Sequence, residues 1–342
     1  MLKKAALRRL GFAAIFFVFL TVGLREIHIA GGGYPNYPDR SISLTEKNVS
    51  VAIPTGAFGA QIGQILAKAG VVASSESFFR AVVADPRGKS IAPGTHELSM
   101  RLSGKMALEQ LLDPKRIVNL IRISEGEWNS EVFTAIRNTG IWNEDPAQSA
   151  QKVQLPIGID SLEGALFPAQ YSFGADVSQT AALQSMVDNF SQVITKLDFR
   201  DTFGNLSKQE LVTLASLIQA EGDTEDFAKI SRVIRNRLES GMPLQLDSSI
   251  HYLKKTRGQI YLSTNSTKLR SPYNTYQNYG LPPAPIGNPG LAALTAAIKP
   301  ASGDWLFFIT VAPGDTRFTK SFAQFYDWKL LYQKNRRAGA FE

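Results

Sequence analysis

The sequence contains no cysteine, which excludes disulfides, thiolate metal sites and thiol nucleophiles. Histidine is nearly as scarce, with His28, His96 and His251 as the complete set. Their spacing matches no zinc-protease pattern such as H-x-x-E-H, which argues against a metal hydrolase and for no metal site. His251, four residues after Asp247, reads as a structural residue. The G-x-S-x-G elbow of a serine hydrolase is missing. Arg87-Gly-Lys-Ser90 matches the end of a phosphate-binding loop, but Val83 stands where its first glycine should be. No cofactor motif is left. Charge of one sign does not dominate either: 37 basic against 30 acidic residues leave a net +7. Lys3, Lys4, Arg8 and Arg9 precede the first apolar run and belong to membrane topology. The remaining excess suits an anionic partner and is too small to argue for nucleic acid.

Long apolar runs are absent beyond residue 30, but one stands before it. Leu10–Leu24 carries no charge, and as a helix it would span about 22 Å, short of a bilayer core of about 30 Å. Arg8, Arg9 and Arg25 can snorkel, and Ile27 and Ile29 extend the apolar face. The run is expected to be a single transmembrane anchor, with residues 1–30 as tail and span. The basic residues before it place the N-terminus in the cytoplasm and everything later outside. A cleaved signal peptide is the competing reading, although Arg25-Glu26 follows where small residues should mark a cleavage site.

The remainder reads as an α+β protein. Gly31, Gly32, Gly33, Pro35 and Pro38 suggest a flexible stalk over 31–41. An internal echo follows at a constant offset of 70 residues. Val51, Ile53, Phe58, Ile62 and Leu66 match Ile121, Ile123, Trp128, Val132 and Ile136, while Gly56 and Gly70 match Gly126 and Gly140. Each copy reads strand, glycine turn, helix and C-cap glycine. The first copy continues through a helix near Ser75–Val83 and a strand around Gly94–Met100, so 42–115 is expected to form a β-α-α-β subdomain. That shape is either a small glycan-binding module or a generic packing unit. An intermediate α+β region is expected over 116–200. The polar stretch Asp201–Leu206 suggests a boundary into a final mixed α/β domain, 201–342.

The chemistry is concentrated in that last part. Ser207-Lys-Gln-Glu210 is a capping box, and Leu211, Leu214, Ala215, Leu217 and Ile218 form an apolar stripe behind it. Extending the stripe lands on Glu221, just before the helix-stopping Gly222. A carboxylate on a buried face is penalised by desolvation, and at a helix C-terminus by up to about 1 kcal/mol more. Both effects raise its pKa, as a general acid needs. The bland alternative is a glutamate turned to solvent at a frayed end. A second helix is expected over Thr224–Ser240, with Arg232, Arg235 and Arg237 on a solvated face. Ser271-Pro-Tyr-Asn-Thr-Tyr276 and Gly280–Gly290 read as rigid loops, suited to a sugar groove or to plain scaffolding.

Leu214-Ala-Ser-Leu-Ile-Gln-Ala-Glu221, Asn236-Arg-Leu238, Gly241–Asp247, SPYNTY, GLPPAPIGNPG and Ala296–Ala301 together resemble the endolytic murein transglycosylase family, MltG or YceG-like. The resemblance covers essentially the whole chain, including the anchor and a LysM-like first subdomain. It implies non-hydrolytic cleavage of the MurNAc–GlcNAc β-1,4 bond of peptidoglycan, with Glu221 as acid and base. It implies Asp247, Gln219, Tyr273, Asn274 and Tyr276 as substrate-positioning or charge-tuning groups. Peptidoglycan strands are the implied partner, the inner membrane the implied location, and association with peptidoglycan synthases is a further implication. Two departures stand out: Gln219 replaces the first glutamate of the family's E-K-E run, and Ser248 replaces a usual proline, which suggests a less rigid Asp247 loop. Two readings stay open beside this one. A hydrolytic muramidase would need a second carboxylate from Asp223, Glu225, Asp226 or Asp247, and a wall-binding scaffold would need none.

Overall fold

Alternating apolar residues build β1 (Asn48–Ile53), and Gly94–Ser99 (β2) pairs with it antiparallel, Val51 opposite His96 and Ile53 opposite Gly94. Between them run α1 (Gly59–Lys68) and α2 (Ser75–Ala84), the latter capped by the Ser74 hydroxyl, which accepts from Ser77 N at 3.2 Å. A further helix, α3 (Gly104–Leu112), follows. The computed structural model describes residues 33–43, 46–54, 56–174, 176–257 and 265–341. The expected membrane helix at Leu10–Leu24 lies outside them. Among the described residues no helix is long and apolar enough to cross a membrane.

These elements belong to the first of two compact units, which takes in the described residues up to Val118 together with Ser172–Gly174. The β-α-α-β order read from the sequence is the order that forms. Ile62, Leu66, Phe78, Leu98, Leu108 and Leu111 make its core, each almost wholly buried. The helices approach closely through glycine: a Cβ on Gly104 would lie 2.1 Å from Ser77 O, and one on Gly63 2.6 Å from Ser75 O. Both obstacles are backbone, so neither can rotate away. Gly104→Ala is therefore expected to cost at least about 2 kcal/mol, read as a lower urea-unfolding midpoint. An unchanged midpoint would contradict the close approach.

Residues 35–40, part of the expected 31–41 stalk, are held by hydrogen bonds within the first unit. Pro35 O accepts from the Ser74 hydroxyl, Asn36 Oδ1 from Gly104 N, and Asp39 from the Ser103 hydroxyl. Arg40 pairs with Glu46 and donates to Met100 O. The free amides and capping hydroxyls at two helix starts need partners, and this segment supplies them.

The second unit comprises residues 119–171 and 176–341. It opens on β3 (Leu120–Arg122) and α4 (Asn129–Asn138), followed by α5 (Pro146–Ala150), the first two residues of β4 (Gln170–Ser172), which pairs with β3, and α6 (Gln179–Lys196). The 70-residue echo is real in conformation. Val51, Ile53, Ile62 and Leu66 are buried, and so are Ile121, Ile123, Val132 and Ile136. Gly56 and Gly126 share φ of 78° and 81°, and Gly70 and Gly140 share 73° and 67°. These left-handed turns explain why glycine recurs at both places. The copies part at Phe58, which is exposed, and Trp128, which is buried.

Next come α7 (Lys208–Glu221), a short turn at Thr224–Asp226, α8 (Phe227–Glu239), α9 (Asp247–Lys254) and α10 (Leu291–Ile298). The hairpin β5 (Phe307–Ala312) and β6 (Asp315–Thr319) and the helix α11 (Phe322–Arg337) close the chain. Helix α7 is not the one-faced helix its stripe suggested: Leu211 through Ile218 are all buried, because α8, α9 and α10 pack around it.

Two further expectations fail for one reason. Asp201–Leu206 lies inside the second unit. The Asp201 carboxylate accepts from Phe203 N and Leu206 N and pairs with Arg235 at 3.1 Å, their side chains 2% and 4% exposed. Arg235 also donates to Ala297 O, and Arg237, likewise buried, to Leu306 O and Leu244 O. The supposed solvated arginine face is thus an interior one, since buried guanidinium groups persist only where carboxylates and carbonyls receive them. Arg232 joins them in part, donating to Ala301 O.

Candidate active site

Helix α7 starts as its sequence dictates. Ser207 N donates to Glu210 Oε2 at 2.8 Å, and Glu210 N to the Ser207 hydroxyl at 3.2 Å. The helix ends on Glu221, with Gly222 extended beyond it. Glu221 lies in a cavity of about 340 Å³, lined also by Trp128, Gln219, Asp247, Ser248 and His251. A larger hollow of about 450 Å³ in the first unit is bordered by surface charges such as Lys105 and Glu109. None of the acids that line it is buried.

Glu221 is half-buried and lines this cavity. Its pKa is pushed up to about 7. Burial is the main cause, and the nearby Asp247 charge adds to it; Ser248 and Arg237 pull the other way. Ser248 donates twice to Glu221 Oε1, from its hydroxyl and from its backbone N–H at 3.3 Å. A carboxyl with this pKa is protonated in part near neutral pH, so it can both deliver and recover a proton.

The other predicted site residues divide. Asp247 lines the cavity and accepts from the Tyr276 hydroxyl. Burial and that carboxylate together raise the Tyr276 pKa. Gln219 lines the cavity too, and its Oε1 accepts from Gly290 N at 3.0 Å. Asn274 does not reach the cavity. It is fully buried, donating to Thr267 O and Leu269 O and accepting from Tyr276 N. Its amide has been used up in shaping the loop that carries Tyr276. Tyr273 packs instead on Tyr252, ring centroids 5.4 Å apart.

The Gly280–Gly290 loop is a scaffold more than a groove: Ile286 to Gly290 are buried. Asn288 ties three segments together, accepting from Gly164 N and Leu166 N and donating to Glu127 O and Asn129 Oδ1. Ile286 N donates to the Ser216 hydroxyl on α7, so the loop backs the helix that carries Glu221. Asn288→Ala would orphan several of these groups and is expected to cost about 2–4 kcal/mol, measured as a drop in unfolding midpoint. A variant as stable as the parent would show the knot to be dispensable.

Three residues that sequence reasoning missed shape the site. Ser248 registers in sequence only as a departure from a proline. Arg237 registers as surface charge. Glu163 has no periodic signal, yet burial pushes its carboxyl up to about 7, and it accepts from Asn129 N and the Tyr252 hydroxyl. Tyr252 meets Trp128 edge-on, and Lys255 lies over the Tyr252 ring at 4.0 Å. Arg257, on the cavity wall, stacks over Trp128 at 4.0 Å and pairs with Glu131 at 2.5 Å. His251 also lines the cavity, and among the described residues its Nε2 has no hydrogen-bond partner, a placement the structural reading did not anticipate. Asp223, Glu225 and Asp226 are not among the lining residues. Among the described residues no three His, Asp or Glu side chains gather as a metal ion would require.

Comparison with known proteins adds independent weight. A family model described as the YceG-like family matches residues 51–329. A Bacillus subtilis protein named endolytic murein transglycosylase is 27% identical over 310 residues, covering 84% of this chain and 86% of that protein. A Streptococcus pneumoniae protein of the same name is 29% identical over an alignment of 344 residues. That match covers 87% of this chain but 60% of the pneumococcal protein. The crystal structure of a YceG-like protein from Listeria monocytogenes superposes with a TM-score of 0.51 at 25% identity, covering 82% of this chain and 98% of that one.

Proposed function

The chain belongs to the YceG-like family, and on that footing we propose that it is an endolytic murein transglycosylase, a lyase acting on peptidoglycan. The observation that carries the proposal is a single partly protonated carboxyl, Glu221, at the end of a buried helix and facing a cavity. Protonated Glu221 gives its proton to the glycosidic oxygen between MurNAc and GlcNAc, and the bond to C1 breaks. The MurNAc 6-hydroxyl oxygen then bonds to C1, and its proton returns to the Glu221 carboxylate. The product is a 1,6-anhydro end, no water is consumed, and one carboxyl serves where most glycosidases need two.

Digestion of purified peptidoglycan followed by mass spectrometry tests the reading. Anhydro-ended fragments are expected. Reducing ends carrying an added water would mean a hydrolase with Asp247, in the same cavity, as second carboxylate, and no fragments would mean a wall-binding scaffold. The acid form is the one that starts the cycle. Turnover is therefore expected to fall as pH rises through about 7, the value to which Glu221 is pushed. A rate that climbs through this range would assign the first step to a different group.

The same proposal places the chain at the inner membrane, held by Leu10–Leu24 as a single span with the catalytic part in the periplasm. The supports are the uncharged run and the basic residues before it. The β-α-α-β first unit supports a LysM-like glycan contact, and peptidoglycan synthases are the proposed neighbours at the site of strand growth.

A further inference from the structure

Ser248 lies at the start of α9, 27 residues from Glu221 in sequence, and reaches it with two donors. Its hydroxyl and its backbone N–H both end on Oε1. Among the described residues no hydrogen bond reaches Oε2. The two oxygens of one carboxyl thus have opposite surroundings. Oε1 is saturated by donors at a helix N-terminus, where partial positive charge gathers. Oε2 is left to the cavity.

We propose that Ser248 is a positioning residue for the proton carrier: it holds Glu221 by Oε1, so that Oε2 is the oxygen that delivers and recovers the proton. The inference rests on the reading of Glu221 as acid and base and adds to it which oxygen works and what sets its proton affinity. The hydroxyl and the backbone N–H together occupy both lone pairs of Oε1, so the acid form carries its hydrogen on Oε2. The same donor favours the carboxylate and holds down a proton affinity that burial alone would drive higher. It also fixes the carboxyl plane, which a proton transfer within hydrogen-bond reach requires.

Other titratable and charged groups stand around Glu221 and its cavity. Asp247 and His251 stand on α9, Arg237 on α8, and Tyr276 on the loop after residue 270. Glu125 and Arg257 complete the cavity wall. Asp247 raises the Glu221 proton affinity and Arg237 lowers it. None of these groups is itself changed by Ser248→Ala, so a shift in its pH profile reports the serine.

The test compares the full-length protein with its Ser248→Ala, Ser248→Thr, Ser248→Pro and Glu221→Gln variants, measuring kcat and KM on glycan strands across the pH range. Ser248→Ala is expected to move the alkaline limb of kcat upward by about one pH unit, the weight of one hydrogen bond to a charged group. Its limiting kcat is expected to fall about tenfold from lost orientation, with KM nearly unchanged. Threonine, which keeps the hydroxyl, should restore both. Proline, which removes both donors, should move the limb at least as far as alanine. A residue of merely structural importance would lower the unfolding midpoint and leave the limb where it was. An unmoved limb in Ser248→Ala beside an inactive Glu221→Gln would overturn the role of Ser248 alone. An active Glu221→Gln would overturn both this role and the assignment beneath it.

Discussion

Glu221→Gln is expected to lower turnover on peptidoglycan by about 10³-fold while leaving the fold intact. The amide matches the carboxyl in shape and keeps an oxygen that can accept from Ser248. It has no acidic proton for the leaving oxygen and cannot take one from the sugar hydroxyl, so both halves of the cycle fail together. The fold survives because the wild-type carboxyl is a liability. Its pKa is raised to about 7 in the folded state, above that of an ordinary glutamate. Such a group contributes most below its unfolded pKa, and that contribution is lost as pH rises through the folded value. Glutamine carries no such loss. The variant is therefore expected to melt no lower than wild type at neutral pH, and higher a unit above it. An inactive variant that also melts lower would be uninformative about catalysis, so thermal unfolding across pH belongs beside the product analysis. Retained anhydro products from a well-folded variant would remove Glu221 from the mechanism.

Asp201→Ala is expected to be the most damaging change to stability, by about 3–5 kcal/mol. The substitution leaves the Arg235 guanidinium buried, with only Ala297 O among the described residues to receive it. It also strips Phe203 N and Leu206 N of their acceptor. Burial alone would raise the Asp201 pKa, but Arg235 and these two amides outweigh it and lower the value. The stabilisation is therefore present above the unfolded pKa of an ordinary aspartate and is lost as pH falls through the depressed folded one. Urea unfolding at neutral pH should show the full loss, and the gap between variant and wild type should close in strong acid. Removing both partners, as Asp201→Leu with Arg235→Leu, should cost less than the sum of the single changes, because no charge is then left unpaired. Strict additivity would show that the pair does not interact.

Asp201 also shows where sequence reading stops. Polar residues beside Gly204 look like a linker, because composition describes the segment and says nothing of what lies opposite. The partner, Arg235, comes 34 residues later on a helix whose arginines look equally exterior. Asn274 fails in the same way: an asparagine between tyrosines suggests sugar binding, but its amide is spent on Thr267 O and Leu269 O.

Taken alone, the sequence determined everything here that local chemistry controls. The capping box at Ser207, the end of α7 at Glu221, the left-handed glycines of the 70-residue echo and the β-α-α-β order all follow from neighbouring residues and their periodicity. It also marked Glu221 as a carboxyl ending an apolar stripe, and the family resemblance implied its role. Only the tertiary structure decided what meets that carboxyl. The Ser248 donors, the buried arginines, and the Asn288 knot joining residues 124 apart arise when distant segments meet in space. Hydrogen bonds form between atoms a few ångströms apart, and a linear pattern records that proximity only within a helix or a turn.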